Sequence, residues 1–308
     1  MRVIKKEIDL ISREFDRFFL SNGYTQEPSV PICSGIDDSV TFIGSGISVL
    51  KPYIRNGTIP ENGVFIRQKS IRTQALKNIM LADIETEYTS FFDAFCVLLP
   101  YSQLQKLVDD ALLLFTRSFG IHHEDILFRI CGTDTDLLSA CASAHIPVRL
   151  EIDTRPEPYY CHKYGMDDLS IRGRNLNFAF ACNHNGIYKD VGNIIVIEDP
   201  QRKLAVELAF GAQPALMRKY DIPHSLQASY VADVVPLDTP EQRKFADALV
   251  VTANLEREQV RQTNRRYPVY LYRKYCRALE HWSQVLEIRE SSVSLMKKEY
   301  LKFEYADI

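Results

Sequence analysis

The chain alternates between helical and strand-like hydrophobic patterns. From Glu7 to Leu20, Ile8, Ile11, Phe15, Phe18 and Phe19 recur at helical spacing with charged residues opposite, which predicts an amphipathic helix ended by Asn22-Gly23. Ser39 to Ile43 and Val64 to Ile71 read as strands, the second rich in β-branched residues. Thr89 to Leu99, with Phe91, Phe92, Phe95, Val97, Leu98 and Leu99, reads as a buried strand. Leu104 to Phe119 predicts an amphipathic helix closed by Gly120. Short strands follow at Ile126–Cys131 and Val148–Ile152 around a helix from about Asp134 to Ala144. Apolar runs at Asn177–Cys182, Asn193–Glu198 and Lys203–Phe210, separated by Asn183–Gly186 and Asp199-Pro200, have the pattern of an antiparallel meander. Beyond Pro240 the pattern is helical to the end, with one break expected at Tyr267-Pro268. The fold class expected is α+β, an antiparallel sheet flanked by helices. The composition shift at Val235 to Pro240 divides it into residues 1–236 and a small helical segment, 237–308.

Composition adds bounds. With 308 residues, 46% hydrophobic and 25% charged, the chain has length enough for a core and the balance of an ordinary globular protein. A net charge of -3 gives no global pull toward a polyanion. No apolar run reaches the ~20 residues a membrane helix needs, and the charged N-terminus does not resemble a signal peptide. Seven scattered cysteines without a Cys-x-x-Cys pair argue against a disulfide framework or zinc knuckle, so a cytoplasmic location with reduced thiols is expected. The segment from Glu241 onward is net +3 and the rest net -6. Arg257, Arg261, Arg265 and Arg266 recur at helical spacing. They form either a solvated face with Glu256 and Glu258, or a phosphate-contacting surface.

Several blocks in order resemble class II aminoacyl-tRNA synthetases of the alanyl branch. Phe18-Phe19 with Gly23 is similar to the end of that family's first helix. Phe42-Ile-Gly-Ser-Gly-Ile-Ser-Val-Leu-Lys51 looks like its Phe-x-x-x-Gly-Met-x-x-Phe-Lys block. Gln68–Arg72 matches the arginine strand of the second motif, and Phe91-Phe92-Asp93-Ala94 its return strand. Tyr188-Lys-Asp-Val-Gly-Asn193 is similar to Tyr-x-Glu-Ile-Trp-Asn, and Val206-Glu207-Leu-Ala-Phe-Gly211 stands in the place of the third motif. The likeness runs over residues 7 to 220. It implies ATP and Mg²⁺ as cofactors, an amino acid as substrate, and a dimer by family habit.

The resemblance assigns roles. Arg72 would stabilise charge on the α-phosphate, because a guanidinium stays charged and can bridge carboxylate and phosphate. Phe92 and Gly211 would adjoin the nucleotide. Asn193 and Glu207 would hold the amino acid, with Gly192 in the pocket wall. Glu207 lies within an apolar run, so it faces either a cavity or, by strand alternation, solvent.

Departures matter equally. Pro214 replaces the family's nucleotide-holding arginine, leaving Arg218, four residues on, as the candidate substitute. Lys77 is a further phosphate candidate in a shortened segment. Gly192 stands in place of tryptophan, which predicts a widened or reshaped pocket. About 70 residues follow Pro240, too few for the family's tRNA-recognition and editing parts. The expected function is therefore amino-acid activation with transfer to an acceptor such as a carrier protein or small metabolite. A user of ready-made aminoacyl-tRNA and a silent binding paralogue are the alternatives. His122-His123-Glu124 reads as a polar helix start, and no metal-ligand set is expected from it. His162, His184, Cys161 and Cys182 establish none by spacing. Tyr159, Tyr160 and Tyr164 are stacking candidates or core residues.

Overall fold

A computed structural model describes residues 2–155, 157–262 and 265–306. Among the described residues the strands form one nine-stranded sheet. In chain order these are β1 (Thr25–Gln26), β2 (Val64–Ile71), β3 (Phe91–Pro100), β4 (Ile126–Cys131), β5 (Arg149–Asp153), β6 (Cys161–Lys163), β7 (Arg172–Phe180), β8 (Lys189–Glu198) and β9 (Lys203–Gly211). The spatial order is β1-β2-β3-β9-β8-β7-β4-β5, with β6 also pairing to β7. Pairing from β2 through β4 is antiparallel throughout, and only the outer pairs β1–β2 and β4–β5 are parallel. The α+β expectation holds, and the meander of β7, β8 and β9 is as the alternation predicts.

The sheet is covered on both faces because its central strands bury alternate residues in opposite directions. Phe65, Phe95, Val97, Val206, Leu208, Phe210, Ile194 and Phe178 join one large core with α1 (Arg2–Ser21), α3 (Leu104–Leu113), α4 (Thr135–Ala142) and α5 (Ala212–Lys219). Phe15 anchors α1 there, stacked on Phe95 at 4.4 Å. On the opposite face Ile66, Cys96, Leu98, Ile195 and Ile197 pack under α2 (Ile47–Asn56). The register Ala94↔Gly211 and Asn193↔Ala209 then sets Arg72, Phe92, Asn193, Glu207 and Gly211 on this second face.

Three local expectations are corrected. Ser39 to Ile43 is not a strand. Lys51 binds Asp37 at 2.7 Å and Ser39 at 2.9 Å, which folds this stretch back onto α2. Gly46 is required at the start of α2, where a Cβ would come within 2.4 Å of Cys96 Cβ. The C-terminal helices break twice, between α6 (Pro240–Arg257) and α7 (Arg266–Val285), and before α8 (Glu290–Glu304). Tyr267-Pro268 is no break, since proline is tolerated in the first turn of α7. Thr239 and Gln242 form a capping box that starts α6.

The third correction concerns the arginines. Arg257, Arg261 and Arg265 do not share a helical face, because α6 ends at Arg257. Arg257 covers the Tyr305 ring at 3.7 Å and Arg261 donates to Tyr272 Oη at 2.8 Å. Arg265 donates to the carbonyls of Cys33, Ser34 and Val40. Residues of α6, α7 and α8 share the main core, as Phe245, Tyr275, Trp282 and Tyr300 do. Among the described residues no helix is long and apolar enough to cross a membrane.

Candidate active site

A cavity of about 310 Å³ opens on the α2 face of the sheet. Its lining includes Arg72, Phe92, Asn177, Gly192, Asn193, Gly211 and Pro214. Residues distant in sequence meet here because β2, β3, β9, β8 and β7 are adjacent and each turns alternate side chains to this face.

Arg72 follows β2 directly. Its Nε donates to Gly44 O at 3.0 Å, and its guanidinium lies over the Phe92 ring at 5.1 Å. Among the described residues it has no carboxylate partner within ion-pair distance. Burial weakens its proton affinity and Glu207 offsets this in part. Beside it His162 is held below its ordinary pKa, first by burial and then by the Arg72 charge.

The opposite wall is an asparagine ladder. Asn193 and Asn175 both donate to Asn177 Oδ1 at 2.5 Å, and Asn175, behind the lining, interacts in turn with the His162 side chain. Neither Asn175 nor Asn177 was singled out from sequence. Their signal was polar residues at alternate positions within an otherwise apolar strand.

Glu207 shares the face but not the lining. It is 2% exposed, accepting from Tyr164 Oη at 2.7 Å and from Cys96 Sγ at 3.4 Å. Burial pushes its carboxyl up to about 7, against the downward pull of those bonds and of Arg72. Tyr164 is thus the carboxylate's partner, not a stacking surface.

Gly192 lines the cavity, and its missing side chain has a packing cause. Val191 bulges where β8 shifts register against β7, and a Cβ on Gly192 would lie 2.3 Å from Ala209 O and 2.5 Å from Phe210 Cβ. The strand approach requires glycine; a tryptophan in this place has no room. Gly211 is similarly covered, with a Cβ there meeting Pro214 Cδ at 2.8 Å and Phe92 Cδ2 at 3.3 Å. Pro214 in the first turn of α5 therefore gives this end an apolar wall. Gln213 beside it ties α5 to β3, accepting from Asp93 N at 3.0 Å and donating to Asp93 Oδ2 at 2.8 Å.

Arg218 and Lys77 stand outside the lining. Arg218 is 5% exposed and donates to Glu87 at 2.6 Å and to Tyr88 Oη at 2.9 Å, so Tyr88 stands between it and the cavity. Lys77 is exposed on the single turn Gln74–Asn78. Asp190, at the start of β8, is the one carboxylate among the described residues of the lining and already binds Arg129.

No protein-family model matches the chain. A 75-residue stretch is 39% identical to the alanine–tRNA ligase of Lysinibacillus sphaericus, covering 24% of this chain and 8% of that protein. The Shouchella clausii alanine–tRNA ligase is 37% identical over 70 residues, 22% of this chain and 8% of its own length. The matches thus span under a tenth of these relatives. Among solved structures, Staphylococcus aureus histidyl-tRNA synthetase is similar with a TM-score of 0.45 and 11% identity, over 68% of both chains. A Desulfitobacterium hafniense pyrrolysyl tRNA synthetase gives 0.42 and 8%, over 71% of this chain and 70% of that one. Over the matched stretch the chain is similar to the alanine–tRNA ligases, so its sequence likeness lies with the alanyl branch of the class II aminoacyl-tRNA synthetases.

Proposed function

We propose that the cavity binds an amino acid together with ATP and joins them as an aminoacyl adenylate, which the chain passes to an acceptor. An oxygen of the amino-acid carboxylate attacks the α-phosphorus, a bond forms there, and the bond to the departing pyrophosphate breaks. The observation that carries the reading is Arg72, a cavity guanidinium with no carboxylate partner among the described residues. It is free to meet both the carboxylate and the phosphoryl oxygens on which charge builds. Asn193 and Asn177 offer hydrogen bonds to the amino acid, and Glu207, behind the lining, adds negative potential for its ammonium in its ionised fraction, which grows as pH rises through about 7.

Phe92 suits a flat base, which would displace Arg72 from its ring, whereas Gly211 is covered by Pro214. Mg²⁺ arriving with the nucleotide would neutralise phosphate charge, and Asp190 is the carboxylate of the lining that it would meet. The acceptor favoured is a carrier protein or small metabolite over RNA, because Arg257, Arg261 and Arg265 are engaged within the fold.

Amino-acid-dependent exchange of labelled pyrophosphate into ATP tests this. Exchange with one or a few amino acids, abolished in Arg72→Ala, is expected; no exchange by folded protein with any proteinogenic amino acid overturns it. A binding module is the second reading, favoured by Pro214 covering Gly211 and by Arg218 being tied to Glu87. Calorimetry showing amino-acid binding without ATP binding would select it.

A further inference from the structure

We infer that a second site, away from the cavity, binds a divalent transition metal ion of the zinc class through His122, Glu124 and His184. One ligand atom from each of the three lies within 4.8 Å of the others. The turn after β7 delivers His184, and the turn before β4 delivers His122 and Glu124, so the topology brings together ligands about 60 residues apart. Two imidazoles and one carboxylate are a donor set suited to Zn²⁺ or Co²⁺, with the fourth position left to water.

The support behind His184 distinguishes the cluster from a chance surface grouping. Asn183 and His184 both adopt left-handed backbone, φ 45° and 57°. That conformation is held by Asp125, whose Oδ1 accepts from His184 N at 2.9 Å. The same oxygen lies 3.1 Å from His184 Nδ1, and Asp125 is 5% exposed. A buried carboxylate at Nδ1 keeps the ring proton there and leaves the Nε2 lone pair for a metal, the arrangement that orients metal-binding histidines. On the other turn, Tyr188 Oη donates to Glu124 O at 2.6 Å. Bonds of about 2.1 Å require ligand atoms roughly 3.4 Å apart in a tetrahedron, a closure that exposed side chains reach by rotation. A bound ion would pin the turn that leads into Asp190 and the Val191 bulge at the cavity.

The test is Zn²⁺ titration of the full chain by calorimetry, with Co²⁺ absorption as the probe of ligand type. One saturable equivalent is expected, with a d–d spectrum free of thiolate charge-transfer bands. Binding should weaken at least tenfold in H122A and in H184A, and about 10–100-fold in Asp125→Asn. Equal Zn²⁺ uptake by the parent and the folded H122A/H184A double variant would overturn the assignment. So would a thiolate band, since seven free cysteines are present.

Discussion

The Tyr164 hydroxyl donates a 2.7 Å hydrogen bond to Glu207, and the pair is buried behind the cavity instead of lining it. Burial, the largest influence, raises the Glu207 carboxyl from 4.5 to about 7. A raised folded-state pKa means that the folded chain holds more protons than the unfolded one between about pH 4.5 and 7. Stability is therefore highest below that window and falls as pH rises through it, by up to roughly 3 kcal/mol for this group. Glu304, also raised to about 7 by burial, acts in the same sense. Glu207→Gln should flatten part of the decline in thermal midpoint from pH 5 to 8 and leave the Glu304 part. An unchanged slope in Glu207→Gln would contradict the assignment.

Among the described residues Arg72 makes one side-chain hydrogen bond, to Gly44 O. Arg72→Ala should therefore shift stability by only about 0.5 kcal/mol, while pyrophosphate exchange falls at least a hundredfold, as expected when transition-state charge loses a fixed partner. Arg72→Lys should rescue little, because an ammonium lacks the planar fork. A large loss of thermal stability in Arg72→Ala would make the residue structural.

Gly192 carries a sharper steric prediction. A Cβ there stands 2.3 Å from the Ala209 carbonyl oxygen, on backbone that cannot rotate away. Gly192→Ala should cost about 1–3 kcal/mol through forced strand displacement. Chemical denaturation reads this directly, and a neutral result would show that the β7–β8 bulge yields.

Much of this was legible from the chain where side-chain period and structure coincide. Val64–Ile71 is β2 residue for residue, and the runs containing Asn193 and Glu207 are central strands. Period two alone brings Arg72, Phe92, Asn193 and Gly211 to one face once the strands are adjacent. Other features depend on contacts between distant residues, which spacing does not encode. The 39–43 stretch reads locally as a strand while its ties run to Lys51, and the arginine series reads as one face while a helix end interrupts its spacing. The His122–His184 juxtaposition is likewise invisible locally. Gly192 reads as an enlarged pocket in one dimension, whereas in three it is a close approach of strands.

The contact of the C-terminal helices with the sheet layer yields the last prediction. Trp282, the sole tryptophan, is 4% exposed and its Nε1 donates to Ile79 O at 2.8 Å, beyond β2. Glu258 accepts the N–H groups of Ile32 at 2.7 Å and Cys33 at 2.9 Å, while buried Asp247 binds Ser90 at the start of β3. Apolar residues of α6 and α7 are continuous with those under the sheet. Residues 237–308 should accordingly unfold with the rest: Trp282 fluorescence and far-ultraviolet circular dichroism should trace one denaturant transition. Glu258→Ala leaves two backbone donors without their charged acceptor and should move both curves together, by about 1–3 kcal/mol. A Trp282 transition at lower denaturant than the dichroism would instead make the helices a separately stable unit, docked through those polar contacts and not through a shared core.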